Sequence, residues 1–405
     1  MKSDYKQTES GAIPQDWEVS SFGTMFNISA GGDVDPKRSR SYRDEIHRYP
    51  IYSNALVDRG LYGFCSYSDH PAGSITVTAR GMVGAANFRD HAYTAIGRVL
   101  VLDPKNEISG RYFSEVINNR VVFANESTGV PQLTAPQIAK YQIPVPPLAE
   151  QHAIAEVLCD ADALLEALDR LLAKKRDLKK AAMGQLLSGQ VRLPGFHGEW
   201  KTGQLGSFVR THNSGIYKKS DSYGRGANII GVSDLYEIDC IDGQSFSQVP
   251  LSSDEQAKYT LEAHDLLYGE SSLVREGIAR TVYVTERGAG TAFAWHTRRY
   301  RVDQEVLRSS FLYYYLQGRR ARKYMMDQSI QTAITGINTV AYFGCPISIP
   351  AIPEQVAIAE VLSEMDAELA GLEQRRAKIC ALKQGIMQEL LTGRTRLISL
   401  GFSNA

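Results

Sequence analysis

Apolar residues recur at alternating spacings of four and three in two widely separated stretches of this 405-residue chain, a pattern that predicts two long helices. In the later stretch Ile358, Leu362, Met365, Leu369, Leu372, Ile379, Ile386 and Leu390 form a seam, broken where Arg376 and Lys383 take seam positions. In the earlier one Ile154, Leu158, Ala161, Leu165, Leu168 and Leu172 do the same. The pattern then drifts through Leu178 to Leu186 with lysines in the seam, as in a short coiled coil with a change of register. Pro147 and Pro353 stand at the helix starts, and Gly189 and Gly393 supply the left-handed residue that closes a helix. About forty residues at ~1.5 Å each make rods ~60 Å long.

These two stretches are one segment written twice. Residues 150–193 and 354–397 align without a gap at a constant offset of 204 (354 against 150), with about half the positions identical. Each copy follows a block of about 150 residues in which short alternating runs predict strands. The runs include Ser74–Thr78 in the first block and Thr281–Val284 in the second.

Both blocks open alike, with Ile13-Pro14, Trp17 and Phe22-Gly23 against Leu193-Pro194, Trp200 and Leu205-Gly206. Each then carries a helical stretch (around 111–124 and 305–327), a polar loop (128–134 and 331–339) and a proline-rich exit strand (143–147 and 347–350). The offset grows from 183 at the tryptophans to 204 at the exits, so the second block holds about twenty extra residues. Antiparallel pairing of the two helices would hold two related readers at a fixed separation and in inverted orientation. DNA half-sites ~34 Å apart suit such a device.

Composition narrows the classes. Hydrophobic content of 43% supports packed cores, and the polar N-terminus and lack of any long apolar run make the cytosol the expected compartment. Five cysteines without a Cys-x-x-Cys pairing and eight dispersed histidines supply neither a disulfide framework nor a metal site. Net charge is zero, yet positive clusters occur at Lys37, Arg38, Arg40 and Arg43, at Arg298, Arg299 and Arg301, and at Arg319, Arg320, Arg322 and Lys323. Such clusters read either as solvated faces or as binding surface. The last lies near Tyr313, Tyr314 and Tyr315 and is expected to cap a helix C-terminus while the tyrosines pack inward, rather than to track phosphates.

No Walker loop or Asn/Asp-Pro-Pro-aromatic tetrapeptide occurs, and Arg287-Gly288-Ala289-Gly290 is too short for a dinucleotide fingerprint. Glu199-Trp200-Lys201 has the Glu-x-Lys form of nuclease metal sites, but no Pro-Asp dipeptide accompanies it.

The order block, helix, block, helix, with junctions IPVPPLAEQHAIAEVL and ISIPAIPEQVAIAEVL and the closing LLSG and LLTG, resembles the specificity subunit of type I restriction–modification systems. The resemblance spans nearly the whole chain. It implies an α+β chain of two α/β target-recognition domains (1–146 and 194–350) and two helices (147–193 and 351–405) that form an antiparallel coiled coil with pseudo-two-fold symmetry. Each domain would read one half of a bipartite duplex DNA site. The helices would set the gap and dock two methyltransferase subunits and, through them, restriction subunits. Exposed Leu164, Leu171 and Leu178, off the seam, are candidate docking positions. The resemblance also implies no catalytic centre and no cofactor in this chain, with S-adenosylmethionine, ATP and Mg held by partner subunits. A DNA-binding adaptor or repressor unrelated to restriction is the alternative.

Base reading needs directional hydrogen-bonding side chains: arginine or lysine for guanine, asparagine or glutamine for adenine, serine or threonine for either. The candidates in the first block are therefore Lys37, Arg38, Arg40, Tyr52, Ser53, Asn54, Thr78 and Arg80. In the second they are Lys218, Lys219, Ser271, Ser272, Arg275 and Arg280. Some of these are expected to be turn residues or internal salt-bridge partners, and phosphate contacts are expected to outnumber base contacts.

Overall fold

The computed structural model describes residues 5–8, 11–124, 130–331 and 333–397, so Thr128 and Thr332 of the two polar loops lie outside the described residues. Both periodic stretches are helices of 39 residues, Leu148–Leu186 and Ile352–Leu390. The chain divides into two compact units, one of residues 1–169 with 374–405 and one of 170–373. The division falls within each long helix, so each unit contains a block, the start of the helix that follows it and the end of the other helix.

In the first unit the block is built on two four-stranded sheets. One runs Phe26–Ala30, Val99–Pro104, Ile75–Thr78 and Ala86–Phe88, all antiparallel. The other runs Thr94–Ala95, Tyr49–Tyr52, Leu61–Cys65 and Ser39–Arg40, and its first pair is parallel. The helix Gly110–Arg120 lays Tyr112, Phe113, Val116 and Ile117 onto the first sheet, in one core with Ile154, Leu158 and Leu390 from the long helices. In the second unit a five-stranded sheet (Val209–Ser214, Thr297–Val302, Leu266–Gly269, Thr281–Val284, Cys240–Ile241) and a three-stranded one (Ser247–Val249, Ala227–Ile230, Ala292–Phe293) take these places. Its core likewise includes Ile358 and Leu362 of one long helix and Leu186 of the other.

Every block is closed by a two-stranded ribbon that joins its opening to its exit: Glu18–Ser21 with Gln142–Val145, and Lys201–Gln204 with Pro346–Ile349. Directly after each exit, the Glu-Gln pair that heads the long helix explains its own repetition. Gln151 accepts from the N–H of Ser109, the residue that caps the block's helix, and donates to the Pro146 carbonyl. Gln355 does the same with Arg308 and Pro350.

The glutamates are nearly fully buried, and each is held by an arginine that follows the end of the other helix. Arg396 grips Glu150 at 2.7 and 2.8 Å and Asp16 at 2.7 and 2.8 Å, and Trp17 Nε1 donates to Glu150 at 3.0 Å. Arg192 grips Glu354 at 2.5 and 2.6 Å, with Trp200 beneath its guanidinium. Those arginines are aimed by Gly189 and Gly393, whose φ values of 70° and 69° turn the chain out of each helix.

Within each unit the two helix segments run antiparallel. Lys383 meets Asp162 and Arg376 meets Asp169 in the first; Lys179 meets Asp366 and Arg176 meets Glu373 in the second. The Asp162–Lys383 and Asp366–Lys179 pairs are the same contact under the offset of 204. Lysine in the seam is therefore a partner for the facing aspartate, with its stem against the helix.

Of the seam residues, Ile154, Leu158, Leu168, Leu172, Ile358, Leu362 and Leu390 are buried, and Leu165, Met365, Leu369, Leu372 and Ile379 are partly so. Ile386 departs from the expectation. It is 37% exposed, and Met387 packs against the core instead. Leu390 keeps its seam position, and the adjacent Leu391 is buried in the same core.

The stretch 305–327 is also not one helix. Gly318 takes an extended conformation and separates Ser309–Gln317 from Arg319–Gln328. Tyr313, Tyr314 and Tyr315 are buried as expected, but the basic run opens a helix rather than capping the end of one. The extra length of the second block is spread among several places. Matched backbone positions are offset by 178 at Tyr52 and Ile230, 191 at Ala79 and Glu270, and 198 at Ile96 and Ala294.

Arg396→Ala leaves the Glu150 carboxylate buried without its cation, and we expect a loss of about 3–5 kcal/mol in unfolding free energy by urea denaturation. Asp16 is held below the usual carboxylate range, chiefly by its hydrogen bonds from Arg396. Its contribution is therefore full at neutral pH and lost as pH falls below about 4 through the lower folded value. The stability advantage of the native chain over Asp16→Asn should vanish along that limb.

Candidate nucleic-acid interface

Both blocks contain the same backbone crossing. In the first, the Gly31 N–H donates to Val99, Gly32 to Ala95 and Ile96 to Tyr52. In the second, Gly215 donates to Thr297, Ile216 to Phe293 and Ala294 to Ile230. The chains approach so closely that a Cβ on Gly31 would sit 2.4 Å from the Ile96 carbonyl oxygen, and one on Gly215 2.1 Å from that of Ala294. Glycine is required at both for lack of space, not for a left-handed φ.

The crossing ends in a two-residue turn, Gly97-Arg98 or Trp295-His296, that leads into a long strand of the main sheet. Arg98 and His296 have φ of 79° and 67°, the sign that the third position of a type II turn requires and that glycine or asparagine ordinarily fills. A left-handed conformation costs an ordinary side chain about 1–2 kcal/mol. It is maintained because the turn is tied from the next strand, by Ala79 N–H to the Arg98 carbonyl and by Glu270 N–H to that of His296.

The first-block candidates distribute around this crossing. Asn54 donates to the Arg80 carbonyl at 3.0 Å, so Asn54, Arg80 and the Arg98 turn share one rim. Arg80 and Arg98 are exposed. Tyr52 is buried, with the guanidinium of Arg89 3.4 Å above its ring and its hydroxyl on His91. Burial lowers the pKa of Arg89, which also bonds Thr76 and the Arg59 carbonyl.

Ser53 closes its loop onto Gly60, and buried Thr78 bridges the Met82 carbonyl and the Ala85 N–H. Tyr52, Ser53 and Thr78 thus support the rim from beneath. Lys37, Arg38 and Arg40 sit apart from it, on a short 3-10 turn and on the edge strand of the second sheet. All three are exposed, and Arg38 lies over Tyr67.

In the second block most candidate cations are engaged internally. Lys218 pairs with Glu255, Arg275 bonds the Met326 carbonyl, and Arg280 bonds Ile238 and Asp239. Ser272 is buried and accepts from Val274. Arg298, Arg299 and Arg301 are bound by Glu270, the Thr260 carbonyl and Asp265. Lys219 is exposed and Ser271 half-buried.

What stands at the rim instead is aromatic. Trp295 stacks on His296 with centroids 4.4 Å apart, and Tyr217 meets Trp295 edge-on at 5.2 Å. Trp295 is 49% and Tyr217 64% exposed. Sequence reasoning missed Arg98, Trp295, His296 and Tyr217. No signal in the sequence singles them out, because the turn they share is set by backbone hydrogen bonds between segments distant in the chain. Among the described residues no group of histidine, cysteine and carboxylate side chains is placed to hold a metal, and no helix is long and apolar enough to cross a membrane.

Comparison with known proteins bears on both halves of this arrangement. The family model for the type I restriction modification DNA specificity domain matches twice, over residues 14–174 and 197–380. The MjaVIII type I restriction enzyme specificity subunit of Methanocaldococcus jannaschii is 21% identical over 435 residues, covering 99% of this chain and 98% of that one. The StySPI specificity subunit of Salmonella potsdam is 23% identical over 310 residues, covering 72% and 67%. Among solved structures, the S subunit of a type I restriction–modification system from M. genitalium superposes with a TM-score of 0.64 at 14% identity, covering 96% and 99%.

Thr78→Val would leave the Ala85 N–H and the Met82 carbonyl without their partner. We expect a loss of about 1–3 kcal/mol in stability, read by thermal unfolding.

Proposed function

The chain belongs to the type I restriction-modification DNA specificity family, and we propose that it acts as the sequence-reading subunit of such a system. One block reads each half of a bipartite duplex site. The carrying observation is that the backbone crossing and its exposed turn occur once in each matched region, on interiors that otherwise differ. A frame held constant with unlike tips suits two readers with two targets. The long helices serve as the spacer and as the docking surface for two methyltransferase subunits, through which restriction subunits join. The exposed leucines Leu164, Leu171 and Leu178, spaced by seven, support such a surface. S-adenosylmethionine, ATP and Mg belong to those partners in this reading, and the chain itself performs no catalysis.

Exposed Lys37, Arg38 and Arg40 are suited to phosphates rather than bases: they stand off the rim on an edge strand, where a point charge positions a duplex without reading it.

Three outcomes test this reading. Co-expression with the methyltransferase subunits should give a complex that methylates adenine at a split motif, whereas the chain alone should methylate and cleave nothing; activity without partners would refute the assignment. Exchanging residues 14–146 for the block of another family member should change one half of the motif and leave the other intact. Lys37→Ala combined with Arg40→Ala should weaken binding alike on all sequences and reduce the slope of log K against log salt by about 2.

A further inference from the structure

We propose that the left-handed turn residue is the specificity-determining side chain of each block, and that Arg98 reads a guanine in the half-site of the first. The inference rests on the DNA-reading function above and narrows it to one position in each block. Four observations converge on it.

The two blocks differ in length, sheet size and internal salt bridges, yet both place a residue other than glycine at a positive φ at the same point of the crossing. A turn needed only to reverse the chain would be served by glycine there. In the first block glycine stands one position earlier, at Gly97, where φ is not positive. The side chain is therefore kept against the preference of the backbone.

The turn is also rigid. Backbone hydrogen bonds hold it on both flanks, from Gly31 to Val99 and from Ala79 to Arg98, so its tip is displayed on a fixed mount rather than on a mobile loop.

The guanidinium of Arg98 is available. Arg89 is engaged by Thr76 and Arg59, and Arg38 by Ser66 and Tyr67, whereas Arg98 is exposed and has no side-chain hydrogen bond or ion pair among the described residues.

The neighbours also have the chemistry of base edges. Asn54 and Arg80 share the rim with Arg98, and two parallel N–H donors from an arginine match O6 and N7 of guanine in the major groove. At the equivalent point the second block presents His296 stacked on Trp295, a flat and largely apolar tip. The two half-sites should thus be read by different chemistry from an identical mount.

The test uses the full chain in complex with its methyltransferase subunits, acting on a library of random-sequence duplex DNA, with methylated sites mapped. Arg98→Gly removes the guanidinium while easing the turn's backbone, so a folding defect does not obscure the result; a thermal unfolding midpoint no lower than that of the native chain verifies this. The expected result is that one guanine of one half-site loses its preference by about 10- to 100-fold, while every position of the other half-site keeps its own. His296→Gly should alter only the opposite half-site. An unchanged motif in Arg98→Gly, or equal weakening of both half-sites, overturns the inference. Absence of any bipartite motif with the native chain would instead overturn the underlying function.

Discussion

A carboxylate buried at the head of each long helix persists as a charge only where a cation meets it, and in both units that cation comes from the residues following the other helix. Glu150 is met by Arg396, and Glu354 by Arg192. The same few residues bind block to helix, since the adjacent Gln151 and Gln355 secure the cap of each block's own helix and the carbonyl of its proline exit. The blocks, their ribbons and their helices are thus tied at one polar node per unit, surrounded by apolar packing. Such a node makes each carboxylate depend on its arginine, because the glutamate is shut off from water while the guanidinium that meets it stays partly exposed.

The nodes are similar without being identical. In the first unit Trp17 is fully buried and donates to the carboxylate, and Asp16 adds a second acceptor for Arg396. In the second the tryptophan ring lies under Arg192, and its indole N–H is buried without a partner among the described residues. The first is the more elaborately satisfied of the two.

Much of this was legible in the chain. The long helices, their glycine caps, the ribbon strands at 143–147 and 347–350 and the strands at 75–78 and 281–284 follow from periodicity and punctuation, which are local properties. The repeated Glu-Gln was visible as a motif, but its purpose depended on Ser109 and Arg308, each more than forty residues upstream. Ile386 shows the limit of periodicity: heptad spacing placed it inward, yet its neighbour Met387 is the one that packs against the core.

The candidate readers were harder to read. Lys218, Arg275 and Arg280 have the composition of a binding loop, and only the fold shows which carboxylate or carbonyl each one satisfies. Arg98 and His296 were invisible for a different reason. Their distinction is a backbone angle imposed by a long-range hydrogen bond, and neither identity nor neighbours in the chain announce it.

The crowding at Gly31 and Gly215 has a consequence for how such a protein changes over generations. With a carbonyl oxygen 2.4 or 2.1 Å from where any Cβ would stand, those positions tolerate no replacement without dismantling the crossing. The turn tips beside them have open space and few obligations. If the tips read the target as proposed, heritable variation in it is funnelled toward a handful of replaceable residues, and a lineage can acquire a new recognition sequence while inheriting its folding instructions intact.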